Sequence, residues 1–458
     1  MASRPPRSSN RVNPVVIVGG GLSGLAAAVH LSSRRIPVLL LEQRKFLGGR
    51  AYSFVDESTG TVIDNGQHVL LAGYRRTMEF LGTIGTRDRL AVQSAPEFVF
   101  HHPDRGFCSF RLPLLPSPLH LLGGLVTTDL FSAADKVRML RAGAALRSFR
   151  MGAAGGMTVE AWLDSLGQSA ETKRSFWEPL AVAIMNERIG AASAIVFIRA
   201  LRTAFLSGRR GAALAIPTVG LSDLYVGPAR AFIERQGGVL RCGADVTGSV
   251  VDGENVTGVR LREGETIPCS ALILAVPSYR APSLLPAALR ERGYMAPAAS
   301  IPLSPIVSVH LWFEEDVMAQ ETLGVIGRRI QWVFNRRKIC PQNEEGRGGH
   351  LSAVISAAHA FVEMGNDDLT RIVLEDLRSV YGADMGHATH AVVIRERRGT
   401  FSCTPEVERI RPGCGTPVPN LFIAGDWTDT GYPATIEGAI MSGERCAGRV
   451  TAFLGGRE

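Results

Sequence analysis

Residues 14–50 read PVVIVGGGLSGLAAAVHLSSRRIPVLLLEQRKFLGGR. The β-branched run Val15–Val18 predicts a buried strand, and the Ala- and Leu-rich run that follows predicts a helix. Between them lies the pattern Gly19-x-Gly21-x-x-Gly24. In a dinucleotide-binding turn the first glycine permits a tight bend, the second lets the backbone approach a pyrophosphate, and the third allows close helix packing. The pattern therefore predicts a dinucleotide site, with an ordinary strand-to-helix turn as the alternative.

The neighbouring residues extend this prediction. The helix N-terminus would present free N–H groups to the phosphates, so Leu22 and Ser23 are candidate cofactor-binding residues. Pro37–Leu41 predicts the second strand of a βαβ unit, which leads to Glu42 and Gln43. A carboxylate at this distance binds a ribose 2'-hydroxyl, and it favours an unphosphorylated ribose over NADP.

The second decisive stretch lies near the other end of the chain, at residues 420–439, NLFIAGDWTDTGYPATIEGA. Leu421–Ala424 predicts another buried strand, and the turn Gly425-Asp426 follows it. A helix is expected to begin near Thr435, which leaves its first N–H groups free to face a ligand. A capped surface helix is the alternative for this stretch alone.

Together the two ends resemble flavin oxidoreductases of the amine oxidase and phytoene desaturase type, because Gly48-Gly49-Arg50 matches their extended dinucleotide signature. The resemblance implies FAD as cofactor, and a Rossmann-like α/β FAD-binding domain of the glutathione reductase-like class, interleaved with a mixed α+β substrate domain. It implies further cofactor-binding roles: Gly49 and Arg50 near the phosphates, Val246 on the adenine side, Gly425 and Asp426 at the ribityl chain, and Thr435, Ile436 and Glu437 at the flavin pyrimidine.

The length of 458 residues suits two interleaved domains. The expected segments are a disordered tail over 1–13, FAD-binding parts over 14–89, 216–277 and 391–458, and substrate-domain parts over 90–215 and 278–390. Residues 90–215 read as mainly helical, whereas Ile306–Phe313 and His350–Ala358 read as strands. Turn signals at Asp252-Gly253 and Glu263-Gly264 predict short strands between 237 and 277.

Composition narrows the range of partners. The net charge of +7 comes from scattered residues, with no basic and aromatic stripe that would indicate nucleic acid. Seven cysteines without a CxxC spacing favour reduced thiols in a cytoplasmic protein, and no metal site is predicted. The segment 112–130 is apolar, but its three prolines and Gly pair are expected to break any helix. It predicts either peripheral contact with the inner face of the cell membrane or packing inside the substrate domain.

Other segments point to one branch of the superfamily. They are DNGQHVLL over 64–71, PLLPSPLHLLGGL over 113–125, Trp177-Glu178-Pro179-Leu180 leading to Asn186, and GDWTDTG over 425–431. Through them residues 14–453 resemble the bacterial hydroxysqualene dehydroxylases, formerly called squalene-associated FAD-dependent desaturases. Glu187-Arg188 departs from the smaller polar pair expected there, which leaves the polar lining of the pocket open.

The resemblance implies the reductive dehydroxylation of hydroxysqualene to squalene in bacterial squalene and hopanoid biosynthesis. An allylic hydroxyl leaves as water once it is protonated, and hydride from reduced flavin N5 quenches the cation. The candidate acids are Asp64, His68, Glu178, Glu187 and Asp223. We expect His68 to be the proton donor because its ordinary pKa lies near neutrality, with Asp64 as a second catalytic candidate. A hydrogen-bonded structural histidine is the alternative.

Three rival functions remain open at this stage. A carotenoid or phytoene-type desaturase would use a similar lipid pocket but take hydride from its substrate. A flavin amine oxidase would need an aromatic cage, for which Trp427 and Tyr432 are the candidates. A prenyl-binding escort protein could share the fold without chemistry, although its phosphate-loop glycines would be dispensable. No second nucleotide motif is visible, so an external electron donor is expected to reduce the flavin.

Overall fold

The computed structural model describes residues 13–116, 119–148, 155–341 and 348–456. The predicted disordered tail, apart from its last residue, lies outside this range. The described chain forms two layered units, one around a parallel sheet and one around a larger mixed sheet. None of the helices in these ranges is long and apolar enough to cross a bilayer.

The parallel sheet draws its strands from distant parts of the chain. Its order is Val239–Cys242, Val38–Glu42, Val15–Val18, Ala271–Leu274 and Leu421–Ile423. Every neighbouring pair is parallel, so the carboxyl ends of all the strands meet at one edge. Val15–Val18 is buried throughout, as expected for a strand with helices on both faces of its sheet.

The mixed sheet has the order Ala388–Phe401, Leu303–Phe313, Gly349–Ile355, Trp332–Asn335, Thr322–Val325, Glu97–His102 and Gly106–Arg111. Successive side chains of Leu303–Phe313 alternate between its two faces. Val307, Val309 and Leu311 belong to the same apolar core as the helix Asn366–Tyr381. Ile306, Ser308 and His310 therefore face the opposite side, toward the first unit.

Smaller sheets connect the two units. They pair Val246–Asp252 with Asn255–Leu261 and Thr266–Pro268, Ser53–Val55 with Val62–Asp64, and Leu70–Leu71 with Leu214–Pro217 and Leu90–Val92. The predicted turns lie where expected, and Gly253 and Gly264 have φ of +58° and +90°. These values lie in the left-handed region that glycine adopts at little cost.

The α-helices are Leu22–Ser32, Arg75–Ile84, Leu119–Thr127, Ala133–Ser148, Val159–Ser165, Ala170–Thr172, Glu178–Met185, Ala194–Leu206, Gly227–Arg235, Ala281–Leu284, Ala287–Glu291, Ala296–Ala299, Arg336–Ile339, Asn366–Tyr381, Pro405–Ile410 and Ile436–Gly455. A 3-10 turn covers Arg87–Arg89, and π-helical turns cover Lys173–Trp177 and Ser222–Val226.

Residues 90–215 are mainly helical, as predicted, and they also contribute two strands of the mixed sheet. The structure differs from the predictions at two of the expected boundaries. The expected boundary at 390/391 falls inside Ala388–Phe401, which pairs with Leu303–Phe313, and the boundary at 215/216 falls inside Leu214–Pro217. These strands continue across the boundaries because their pairing partners, and not local composition, decide where they end.

The expectation that the Gly pair would break any helix within 112–130 was wrong. The helix Leu119–Thr127 passes through Gly123 and Gly124. A Cβ atom at Gly124 would lie 2.8 Å from the carbonyl oxygen of Arg111, so glycine is what allows the helix to pack this closely.

Asn420 offers a test of how the parallel sheet is joined to the small sheet that contains Asn255–Leu261. Its side chain accepts a hydrogen bond from the Val256 N–H at 2.8 Å and donates to the carbonyls of Val256 and Ser270 at 2.7 and 3.0 Å. Asn420→Ala would leave these buried groups unpaired, so we expect the free energy of unfolding to fall by about 2–4 kcal/mol. Urea denaturation measures this change. The exposed control Gln236→Ala should stay within about 0.5 kcal/mol of the parent.

Candidate active site

A central cavity of about 780 Å³ lies between the carboxyl edge of the parallel sheet and the inner face of the mixed sheet. Its size falls within the range of small-molecule sites. One arm of the cavity runs along the glycine-rich turn, and the other extends between apolar side chains of the second unit. The predicted site residues are described below from the first arm to the second.

The three signature glycines have different environments. Gly19 has φ of +110°, and a Cβ there would lie 2.2 Å from the Ala275 carbonyl oxygen. A Cβ at Gly24 would lie 1.9 Å from the Gly19 carbonyl oxygen, so both residues are required by packing. A Cβ at Gly21 would meet nothing closer than the Gly49 Cα at 3.9 Å, and it would project into the cavity. Gly21 therefore keeps the wall of the cavity clear.

The remaining N-terminal candidates surround this turn. Leu22, Ser23, Glu42, Gln43 and Val246 all line the cavity. The Glu42 carboxylate accepts hydrogen bonds from the N–H groups of Gly20 at 2.7 Å and Arg44 at 2.8 Å. These bonds fix the carboxylate at the end of its strand, beside the turn.

An ion pair joins the two signature stretches. Nη2 of Arg50 lies 2.6 Å from Oδ1 of Asp426, although the residues are 376 positions apart. Nη1 of Arg50 also donates to the Gly399 carbonyl at 2.9 Å. Gly49, Arg50, Gly425 and Asp426 all line the cavity, so the two ends of the chain meet at this wall.

The sequence prediction missed the residue that supports this turn. The buried guanidinium of Arg411 donates to the backbone carbonyls of Asp426 at 3.1 Å and Trp427 at 3.3 Å. It also binds the Thr428 carbonyl, and Glu408 pairs with it at 2.6 Å. Nothing in the local sequence distinguishes Arg411 from a surface arginine.

The C-terminal helix begins as expected, but one candidate has a different role. Thr435 caps Ile436–Gly455 by accepting the Gly438 N–H at 3.1 Å, and Thr435 and Ile436 line the cavity. The Glu437 carboxylate instead accepts hydrogen bonds from the Thr77 N–H at 2.8 Å and the Thr77 hydroxyl at 2.7 Å. Its side chain therefore caps the helix Arg75–Ile84 and is not among the cavity-lining groups.

The two catalytic candidates, Asp64 and His68, differ in position: only His68 lines the cavity. The buried carboxylate of Asp64 accepts hydrogen bonds from the Ser53 hydroxyl at 2.7 Å and the Leu221 N–H at 2.9 Å, and it lies 3.3 Å from Nη1 of Arg336. It does not line the cavity. Asp64 thus braces the segment, because its carboxylate is held by Ser53, Leu221 and Arg336 and does not face the site.

His68 lies on the cavity wall together with Gly66 and Gln67. Desolvation by burial lowers the pKa of the His68 imidazole, whereas the nearby Asp64 carboxylate opposes this shift. The side-chain oxygen of Gln67 accepts a hydrogen bond from Arg336 at 2.6 Å. Arg336 therefore holds the segment 64–71 through Gln67 and Asp64, while His68 of the same segment lines the cavity.

The other candidate acids do not reach the cavity. Glu178 accepts the Ile189 N–H at 3.0 Å, and Glu187 accepts the Ser402 hydroxyl. Asp223 is likewise absent from the cavity wall. The departure at Glu187-Arg188 thus leaves the lining unchanged, whereas the preceding Asn186 contributes to it.

Glu396 is a titratable residue of the cavity wall that the sequence prediction missed. It pairs across the sheet with Ile306, and it lines the cavity together with Asn65. Burial raises the pKa of Glu396, although Arg50 and Arg44 oppose the shift. The register that brings Glu396 to this wall comes from long-range strand pairing, so no local signal could have revealed it.

The second arm of the cavity is apolar. Its walls come from the mixed sheet and from helices of residues 176–206, with the side chains of Phe98, Phe100, Phe176, Leu180, Ile184, Phe205, Leu214, Ile306, Trp332 and Phe334. Trp427 lines the cavity and donates to the Val276 carbonyl at 2.9 Å, whereas the Tyr432 hydroxyl lies 2.7 Å from the Thr203 hydroxyl, away from the cavity wall. Trp427 and Tyr432 therefore do not form an aromatic cage.

Comparisons with known proteins agree with this arrangement. The family model of flavin containing amine oxidoreductases matches residues 22–451. The chain is 31% identical over 440 residues to the hydroxysqualene dehydroxylase of Sinorhizobium fredii, covering 94% of this chain and 97% of that protein. It is also 31% identical to the hydroxysqualene dehydroxylase of Rhodopseudomonas palustris, covering 96% and 98%. An oxidoreductase from Methanosarcina mazei shares the fold with a TM-score of 0.73 at 17% identity, covering 94% of this chain and 99% of that one.

The environment of Gly21 generates a test of the first arm. In Gly21→Val the added Cβ would meet no protein atom closer than 3.9 Å, so the apoprotein should fold while FAD binding weakens by about 10-fold or more. Fluorescence titration with FAD measures the affinity, and circular dichroism measures the fold. Gly24→Val is the contrasting variant, because its Cβ would overlap the Gly19 carbonyl. A folded Gly21→Val protein with parental FAD affinity would contradict the assignment.

Proposed function

The chain belongs to the family of flavin-containing amine oxidoreductases, and from this premise we propose that it converts hydroxysqualene to squalene by reductive dehydroxylation. It is an FAD-dependent oxidoreductase, which excludes a prenyl-binding escort protein without chemistry. The observation that carries the proposal is one cavity with a dinucleotide arm and a long apolar arm, in a chain similar to the hydroxysqualene dehydroxylases along almost its whole length.

The residues of the first arm fit FAD. Gly21 leaves room beside the helix N-terminus for a pyrophosphate, Glu42 stands at the position of a ribose-binding carboxylate, and Arg50 adds positive charge. Asp426 can accept hydrogen bonds from a polyol chain, and the N–H groups after Thr435 face the cavity. Bound there, reduced FAD supplies the hydride.

The second arm fits an isoprenoid chain. Its aromatic and aliphatic walls favour a hydrocarbon over water, and the exclusion of water protects a cationic substrate from being recaptured. The balance of the reaction is simple: one proton and one hydride enter, the C–O bond breaks, a C–H bond forms, and water leaves. The protein must therefore place an acid where the two arms meet.

We assign this acid to His68. It lies on the cavity wall, next to Gln67, whose side chain Arg336 holds in place. Desolvation lowers the pKa of His68, so its imidazolium form is a stronger acid than an exposed histidine, although it is populated only at lower pH. The rate of the proton-dependent step should accordingly increase as the pH falls below about 6.5.

An anaerobic single turnover tests the function. The enzyme with photoreduced flavin is mixed with hydroxysqualene, and flavin absorbance and lipid product are followed together. We expect stoichiometric squalene with flavin reoxidation. Unchanged reduced flavin, together with dehydrogenation of a polyene by the oxidised enzyme, would identify a desaturase instead.

The same assay tests His68. In His68→Gln we expect the reoxidation rate to fall by about 100-fold and to lose its increase at low pH, with FAD content unchanged. Glu396→Gln is the matched control, because Glu396 also titrates on the cavity wall. Loss of the pH dependence in Glu396→Gln, with His68→Gln retaining it, would transfer the role to Glu396.

We also propose that an external electron donor reduces the flavin, since the chain contains one dinucleotide signature and no second one is visible. Anaerobic NADPH alone should leave the flavin absorbance of the purified enzyme unchanged over many turnover times. Rapid bleaching by NADPH would refute this part of the proposal.

We further propose that the enzyme works in the cytoplasm and contacts the membrane surface through the helix Leu119–Thr127. Its residues Leu119, Leu122 and Val126 are 51%, 43% and 74% exposed. Their spacing of three and four places them on one face. Leu114 and Leu115 before this helix, and Val137 and Leu140 on the next helix, are also exposed, and together these seven residues are called the lipid-facing patch.

Charge and position support this role for the lipid-facing patch. Arg141 and Arg147 are exposed on the adjoining helix Ala133–Ser148, where they would complement anionic headgroups. Beneath the patch, Gly124 packs near Phe110, whose ring lies 5.5 Å from that of Phe176. Because Phe176 lines the apolar arm, this face is close to a route from lipid to the cavity.

A triple variant tests the lipid-facing patch. Replacing Leu119, Leu122 and Val126 with Ser removes three exposed apolar side chains, so binding to vesicles of phosphatidylglycerol should weaken by about 100-fold. Cosedimentation measures the partition coefficient. The control replaces Val55, Val92 and Val239 with Ser, since these residues are similarly exposed elsewhere. Equal vesicle binding by the two variants would contradict the proposal.

A further inference from the structure

A second cavity lies outside the active site, beside the C-terminal helix. Its volume is about 740 Å³, and its walls include Cys414, Phe422, Ser442, Arg445 and Arg449. The Ser442 hydroxyl accepts the Gly425 N–H at 3.0 Å, so the wall of this cavity supports the turn that precedes Asp426. None of the steps of the proposed reaction uses this cavity.

Two thiols converge at the inner wall of the second cavity. The carbonyl of Cys414 accepts a hydrogen bond from the Ile423 N–H at 3.0 Å, and Sγ of Cys446 donates to the Ile423 carbonyl at 3.0 Å. Both cysteines thus contact the same residue, and Cys414 packs against the apolar cluster that contains Cys446. Cys446 is fully buried, whereas Cys414 is partly exposed and lines the cavity.

The two thiols differ in their readiness to ionise. The adjacent Cys446 thiol lowers the pKa of Cys414 to about 6, with Arg449 and Arg445 contributing and burial opposing. Burial raises the pKa of Cys446 well above its usual value. One accessible thiolate beside one buried, protonated thiol is the arrangement of a reactive cysteine and its resolving partner.

We propose that Cys414 and Cys446 form a redox modification site, which a hydroperoxide converts to a disulfide and a dithiol reductant restores. The Cys414 sulfur attacks the peroxide, the O–O bond breaks, and a sulfenic acid forms while the leaving oxygen is protonated. The Cys446 sulfur then attacks the Cys414 sulfur, an S–S bond forms, and the S–O bond breaks. The Cys446 proton leaves with the hydroxide as water, and the two thiols have supplied two electrons.

The position of the two cysteines shows that a disulfide would affect the turn Gly425-Asp426 beside the active-site cavity. Cys414 follows Arg411 by three residues, and Arg411 holds the carbonyls of Asp426 and Trp427. Cys446 lies one helical turn after Ser442, which holds the Gly425 N–H. A disulfide would therefore link the two supports of the flavin-side turn. The proposal does not depend on the identity of the substrate.

Thiol counting on the FAD-loaded enzyme tests the site. The chain has seven cysteines, all free in the structure. After treatment with cumene hydroperoxide and removal of the excess, the number of titratable thiols in denaturant should fall from seven to five, because the pair consumes two. Peptide mass spectrometry should find Cys414 joined to Cys446, and dithiothreitol should restore both thiols.

Single variants separate this outcome from general oxidation. Cys414→Ser should prevent the disulfide, and Cys446→Ala should leave a Cys414 sulfenic acid that dimedone traps. Cys242→Ser is the matched control, since Cys242 is also partly exposed but burial raises its pKa, and it should keep the Cys414–Cys446 bond. Retention of seven thiols, or a loss of thiols that excludes Cys414, would overturn the proposal.

Discussion

The parallel pairing of Val15–Val18 with Ala271–Leu274 is the constraint on which the active site depends. It brings the residues after both strands so close that only glycine fits at position 19, against the carbonyl of Ala275. Since the other parallel strands end at the same edge, Glu42 and the turn at Asp426 reach the cavity from separate parts of the chain. The ion pair between Arg50 and Asp426 then closes this wall.

The sequence was most informative at positions where the local backbone conformation by itself decides which residue fits. The glycines at 19 and 24 and the turn glycines at 253 and 264 occupy positions that follow from backbone sterics alone, whereas Gly21 leaves room for a ligand. These signals predicted the strands, the helix starts and the FAD arm of the cavity. The family resemblance added the substrate class, which the apolar lining of the second arm supports.

The carboxylates show why the roles of individual site residues could not be predicted from the sequence. Asp64 and Glu437 stand in signature segments, but Asp64 is turned toward Arg336 and Glu437 toward Thr77. The sequence specifies the acid, whereas the direction of its side chain depends on a partner more than 250 residues away. Glu396 illustrates the reverse, since strand register carries it into the cavity from a segment without a signature.

Arg336 explains how the segment that bears His68 is held. This fully buried guanidinium bonds Gln67 and lies beside Asp64, while its Nε and Nη2 atoms have no protein hydrogen-bond partner among the described residues. Buried charge of this kind requires compensation, and the buried Asp64 carboxylate supplies it at 3.3 Å. The two residues together fix the segment on the side opposite the cavity.

The strand order has a consequence for how the protein is made. The edge strand Leu421–Ile423 and the helix Ile436–Gly455 are needed to complete the unit that Val15–Val18 begins. During translation the N-terminal strands and glycine turn leave the ribosome long before these partners exist. The nascent chain must therefore keep an incomplete, apolar sheet soluble for most of its synthesis. FAD can therefore bind only near the end of translation, when nearly the whole chain has left the ribosome.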